Sequence, residues 1–306
     1  MSDFGKEFWT RLGMSDPFAS DAMIARVRDG MGKAPELIEA TPPAILDTHD
    51  LDIPGPAGPL KARLYRPEHA HETGPLCVFF HGGGYVFGDL DSHDRVCRRL
   101  CAIANVRVLA IAYRLAPENP FPAAYDDCLA AFDWAAGEGA ARIGADTSRV
   151  AVAGDSAGGG LAAAVAQARR GQLRFQLLIY PLLQLAEVRK DKLKAFEGHF
   201  VSAKSLTWIR DNYAGSVEAA RDPRVSPLFC TDLAGLPPAY IAVAEYDPLK
   251  DEGAAYADML SAAGVRAELH FAKALPHGYF NFTRMLPIAK KLADKAADAL
   301  GRTLNG

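Results

Sequence analysis

The residues that decide how this chain is read are Val150-Ala151-Val152-Ala153-Gly154-Asp155-Ser156-Ala157-Gly158-Gly159-Gly160. An apolar run of strand character ends in glycine, and a serine then stands among small residues where a helix begins. This is the G-x-S-x-G pattern, in which a sharp strand-to-helix turn pushes a serine side chain out above a sheet. Such a turn strains the serine backbone, so bulky neighbours would clash. A glycine-rich phosphate loop is the rival reading. No Gly-Lys-Ser/Thr follows, and the glycines are not spaced G-x-G-x-x-G, so a nucleophilic serine is the better reading.

Outward from this turn the chain alternates. Residues 76–80, 106–112, 150–153, 175–180 and 239–244 are continuous apolar runs, as expected of strands covered on both faces. Residues 266–271 give a last strand. Helical stretches at 92–104, 123–138, 158–169, 252–263 and 287–300 separate them, which predicts an α/β protein with a parallel sheet and helices on both faces. Ahead of these, 46–53 and 60–65 read as a hairpin around Pro54-Gly55-Pro56-Ala57-Gly58. Residues 1 to about 40 read as amphipathic helix packed outside the core as an appendage or lid. Almost sixty residues separate the runs at 175–180 and 239–244, too many for an ordinary connection. They predict an insertion with a helix over 202–213. Ligands of open α/β sheets bind beyond the carboxyl ends of the strands, so this insertion can cover a site there.

Composition bounds the function. The chain has 306 residues, 49% apolar and 23% charged, as in an ordinary soluble globular protein. A net charge of −3 offers no basic field for nucleic acid or an acidic membrane. No apolar run approaches the ~18 residues of a membrane span, and the N-terminus lacks a secretory layout, so a cytoplasmic protein without membrane insertion is expected. Cys77, Cys97, Cys101, Cys128 and Cys230 are an odd, scattered set, better read as buried thiols than as disulfides or a zinc site.

A serine nucleophile needs a base, a group that orients the base, and N–H donors for the oxyanion. Phe79-Phe80-His81-Gly82-Gly83-Gly84-Tyr85 follows a buried strand directly and supplies the donor loop. His81 is read as holding the shape of that loop. The N–H of Ala157, after the serine, is the expected second donor. Eight histidines compete for the base: His49, His69, His71, His81, His93, His199, His270 and His277. The order Ser…Asp/Glu…His leaves His199, His270 and His277. His270 lies inside a strand pattern and His199 in the insertion, whereas His277 occupies a loop just after the last strand. His277 is the base. Asp247, just past the strand at 239–244 and fixed by Pro248, ranks first as the acid. Glu245 comes second, and Asp251 reads as a helix cap.

His81-Gly82-Gly83-Gly84, Gly154-Asp155-Ser156-Ala157-Gly158-Gly159, Asp247-Pro248-Leu249 and His277-Gly278 occur in this order. With them stand Ala112-Tyr113-Arg114-Leu115-Ala116-Pro117-Glu118, Phe121-Pro122-Ala123-Ala124 and Asp222-Pro223-Arg224-Val225-Ser226-Pro227-Leu228. On these motifs the chain resembles the hormone-sensitive-lipase-like esterases of the α/β-hydrolase fold, over roughly residues 60 to 285. The resemblance implies Ser156 as nucleophile, His277 as base, Asp247 as its partner, and the N–H groups of Gly83, Gly84 and Ala157 as the oxyanion hole. Asp155 is expected to hold the elbow or a nearby loop. It also implies cap helices over 1–45, an α/β core over 46–184 and 226–306, and a cap insertion over 185–225. The charge of 185–198 is read as a solvated cap surface, and Tyr85 and Tyr279 as keeping an aromatic wall.

The expected activity is hydrolysis of short- to medium-chain carboxylic esters through an acyl-enzyme, with a small-molecule ester as partner and no metal or organic cofactor. A homodimer is compatible with such a chain. An amidase, carbamate hydrolase or lactonase would use the same residues. A non-catalytic receptor on this fold is the remaining alternative.

Overall fold

The computed structural model describes residues 18, 20–189, 194–196 and 201–306. Its strands are β1 (Asp47–Ile53), β2 (Leu60–Arg66), β3 (Gly74–Phe80), β4 (Arg107–Ala112), β5 (Ala145–Asp155), β6 (Phe175–Ile179), β7 (Ala239–Tyr246) and β8 (Ala267–Pro276). They form one sheet in the order β1-β2-β4-β3-β5-β6-β7-β8. The hairpin makes β2 antiparallel to both β1 and β4, and every later pair is parallel.

Helices cover both faces: α1 (Asp21–Met31), α2 (Asp94–Ala104), α3 (Ala123–Ala136), α4 (Ala157–Ala168), α5 (Ala203–Ile209), α6 (Lys250–Ala262) and α7 (Pro287–Asn305). Side chains alternate along each strand, so one apolar run feeds two cores. Leu76, Val78 and Phe80 of β3 join α3, α4 and α6 on one face. Cys77 and Phe79 join α2 and α7 on the other. Four of the five cysteines are buried thiols and Cys230 is half-buried. No described helix is long and apolar enough to cross a membrane.

Several elements differ from their predicted lengths. β5 runs on to Asp155 because its pairing with β6 continues to Asp155 opposite Ile179. β8 runs past 271 to Pro276, which pairs with Tyr246 beyond a bulge, so His277 leaves the strand end directly. The helix expected at 202–213 is capped by Ser202 with Ser205 and ends at Ile209, followed by one wider, π-type turn over Arg210–Ala214. Near the N-terminus, Ser20 caps α1, which buries Ile24 and Val27. Of the segments read from sequence, residues 1–17, 19, 190–193 and 197–200, with His199 among them, fall outside the described residues.

Candidate active site

Ser156 stands between β5 and α4 with φ 53° and ψ −119°, a conformation a side-chain-bearing residue rarely adopts. Its N–H donates to the Ile179 carbonyl at 2.8 Å, and its own carbonyl accepts from Leu182 at 2.9 Å and Gly160 at 3.1 Å. A side chain at Gly158 would collide with the Phe80 and His81 carbonyls. The small residues let the helix start this close to β3.

Asp247 and His277 follow the ends of β7 and β8, which are parallel neighbours, so their ends meet. His277 Nδ1 lies 2.8 Å from Asp247 Oδ2, and His277 Nε2 lies 2.9 Å from Ser156 Oγ. Asp247 is fully buried, and its other oxygen accepts the Leu249 N–H at 2.8 Å. A carboxylate only accepts, so Nδ1 carries the proton and Nε2 is free to accept from the serine. The Tyr180 ring packs 4.8 Å from the imidazole. The rival residues that are described stand elsewhere. Glu245 accepts the Ala274 N–H at 2.6 Å, Asp251 lies within the first turn of α6, and His270 faces Lys295 at 3.3 Å.

The glycine loop is fixed peptide by peptide. His81 Nδ1 lies 2.8 Å from the Gly82 carbonyl and must donate to it. The Gly83 carbonyl accepts from Val86 at 3.1 Å and Phe87 at 2.9 Å. In a trans peptide the N–H points opposite to the carbonyl. Holding the carbonyls of Gly82, Gly83 and Ser156 therefore turns the N–H groups of Gly83, Gly84 and Ala157 outward. Gly83 and Gly84 adopt φ of 118° and 64°, which favour glycine. A side chain on Gly84 would meet Ile209 Cδ1 of α5. The insertion thus rests on the loop, and Tyr85 stacks on Tyr213 with ring centroids 3.9 Å apart.

A family model for the alpha/beta hydrolase fold matches residues 77–281. The chain is 44% identical to the carboxylic ester hydrolase LipN of Mycobacterium tuberculosis, over 78% of this chain and 66% of that protein. It is 42% identical to esterase LipI of the same organism, over 84% and 82% of the two chains. A hyperthermophilic esterase from Pyrobaculum calidifontis superposes with a TM-score of 0.88 at 35% identity, over 97% and 96%. The chain belongs to the α/β-hydrolase family, in its hormone-sensitive-lipase-like branch. The fold expected from the motifs is the fold observed.

In this α/β-hydrolase further residues brace the site: Arg28 and Glu252, which no sequence motif singles out, and Asp155, which stands inside the serine motif. Arg28 of α1 donates to the Val86 and Ala116 carbonyls, each at 2.8 Å, and pairs with Glu118. It ties the N-terminal helix to the glycine loop. Glu252 accepts the N–H groups of Leu183 and Gln184 at 2.9 and 3.2 Å, bracing the stretch that starts at Leu182. Asp155 Oδ1 accepts the Gly82 N–H at 2.8 Å. Burial alone would raise the Asp155 carboxyl; the His93 imidazole, the Gly82 N–H and His81 outweigh it and hold the group below the usual range. Burial, with the charge of His93, pushes His81 down to about 4, so it stays neutral at physiological pH. His93 and Arg28 are far along the chain from the carboxylates they meet, Asp155 and Glu118, and only contact in space reveals them.

Proposed function

We infer that the protein is a serine carboxylesterase working by double displacement. Ser156 attacks the ester carbonyl while His277 Nε2 takes its proton, and the buried Asp247 carboxylate stabilises the imidazolium that forms. The outward N–H groups of Gly83, Gly84 and Ala157 receive the charge on the carbonyl oxygen, Ala157 from the positive end of α4. His277 then returns the proton to the leaving alkoxide and next activates water to release the acid. The observation that carries this reading is the line Ser156–His277–Asp247, with hydrogen bonds of 2.9 and 2.8 Å. Being named as esterases at about this similarity, the relatives support the same activity.

Short to medium acyl chains suit the site best. Ile209 lies against Gly84, where the acyl carbonyl would sit, and Phe18 packs on Phe87, which follows the glycine loop, and on Trp208, which precedes Ile209. A bulky aromatic wall so near the donors limits chain length. The test is hydrolysis of p-nitrophenyl esters from acetyl to dodecanoyl, with covalent labelling by a fluorophosphonate. Maximal turnover is expected at butanoyl or hexanoyl, with the label on Ser156. In Ser156→Ala, turnover should fall by about six orders of magnitude and labelling vanish. Near-normal turnover in that variant overturns the assignment, and a maximum at dodecanoyl overturns the chain length.

A further inference from the structure

Behind the glycine loop lies a buried histidine that no step above uses. His93 precedes α2, and its Nε2 lies 3.2 Å from Asp155 Oδ1, the oxygen that also holds the Gly82 N–H. Its Nδ1 lies 2.9 Å from Ser92 Oγ. The Ser92 hydroxyl accepts the Asp89 N–H at 2.8 Å and gives its one proton to the Asp89 carbonyl at 3.0 Å. With the hydroxyl proton on that carbonyl the ring donates at Nδ1, and facing a carboxylate it donates at Nε2 as well. An imidazole that donates from both nitrogens is an imidazolium. Both side chains of the pair are buried, at 5% and 7% exposure, so little water competes.

Building on the esterase reading, we propose that His93 is a positioning residue for ester hydrolysis, acting through Asp155 to fix Gly82 and with it the oxyanion loop. The cation has opposite effects on its two neighbours. It favours the Asp155 carboxylate, which takes the Gly82 N–H, and disfavours a charge on His81, which donates to the Gly82 carbonyl. One short stretch of backbone is gripped at both ends. The other ionisable groups facing His93 are Asp89 on its own loop and Glu39 on the N-terminal segment, with Arg95 and Arg99 beside Glu39. Burial works against the charge on His93, but Asp155 prevails and the ring is more basic than usual.

The test is His93→Gln, assayed with p-nitrophenyl butyrate from pH 5 to 9. kcat should fall about 10- to 100-fold with KM little changed, as when a group supporting a catalytic donor is lost. The sign of the pH effect follows from burial: without the cation, desolvation raises the Asp155 pKa. The acid limb of kcat should therefore move to higher pH, by about one unit. A loss equal at every pH is what a merely structural role gives, and it overturns the proposal. Should the variant not fold, a neutron structure of the wild-type protein at pH 8 decides. Hydrogen on both nitrogens of His93 supports the proposal, and hydrogen on one overturns it. Failure of the wild-type enzyme to hydrolyse esters or take the Ser156 label would instead fault the esterase reading, and the neutron result still judges His93.

Discussion

Among the described residues stand two serine–histidine–aspartate lines, Ser156–His277–Asp247 and Ser92–His93–Asp155. In each the serine oxygen lies 2.9 Å from the ring. The carboxylates lie 2.8 and 3.2 Å away, and both are buried. What differs is how each serine and ring is committed. The Ser92 hydroxyl is buried and strapped to both the N–H and the carbonyl of Asp89, so no carbonyl carbon can reach it. Ser156 is half-buried on a strained turn, and His277 Nε2 can accept its proton. On the readings proposed above, one histidine carries a proton and the other holds a fixed charge. Three residue types within hydrogen-bond distance do not make a nucleophile. Access, donor–acceptor state and an adjacent set of N–H groups do.

Breaking the carboxylates one at a time should separate the two lines. Asp247→Asn removes the charge that stabilises the imidazolium and lets the amide impose the wrong tautomer. A loss of about 10⁴ in kcat is expected with the fold intact, read by steady-state hydrolysis of p-nitrophenyl butyrate. A mild loss would transfer the role to Glu245 or Asp251. Asp155→Asn leaves an amide oxygen for the Gly82 N–H but removes the counter-charge of His93. It should cost about 10- to 100-fold in kcat, with a constant deficit from pH 7 to 9 because the group at position 155 titrates in that range in neither protein. Equal losses in the two variants would mean that the distinction drawn between the lines is wrong.

The reacting line is legible in the sequence because its chemistry forces local patterns. Ser156 needs small neighbours, the donor loop needs glycines after a strand, and Asp247 and His277 must sit just past strand ends. The second line has no such signature. The sequence pattern starts a helix at 92, yet α2 begins at Asp94 and His93 makes no capping bond with its side chain. Its ring turns inward to Asp155 instead. The one available hint is a polar Ser92-His93 pair between the glycine loop and a helix that buries Val96, Cys97, Leu100 and Cys101. Requiring the base to follow Ser156 removes His93 from consideration, since that rule selects bases and is silent on positioning charges. The ends of β5 and β8 escape the pattern for a related reason. Their last residues pair by backbone, where side-chain polarity gives no sign.

The smallest predicted effect on catalysis lies at the edge of the second line, in Glu39. It is 1% exposed, and one carboxyl oxygen takes the Asn281 amide N–H at 3.3 Å. The other finds no partner among the described residues. Burial pushes this carboxyl up to about 8, against the lowering pull of His93, Asn281, Arg99 and Arg95. The folded protein therefore keeps a proton that the unfolded chain releases near pH 4.5. Stability from this group is complete below that pH and is lost as pH rises toward 8. An amide at this position does not titrate, so Glu39→Gln should match wild type at pH 5 and gain about 3–6 °C in Tm at pH 8, measured by calorimetry at both. Since the protonated acid and the amide are nearly isosteric and both neutral, kcat at pH 7 should change by less than about twofold. A Tm difference that does not vary with pH would show Glu39 already ionised in the folded protein. His93 would then lie between two carboxylates, and its charge would be held even more firmly than Asp155 alone requires.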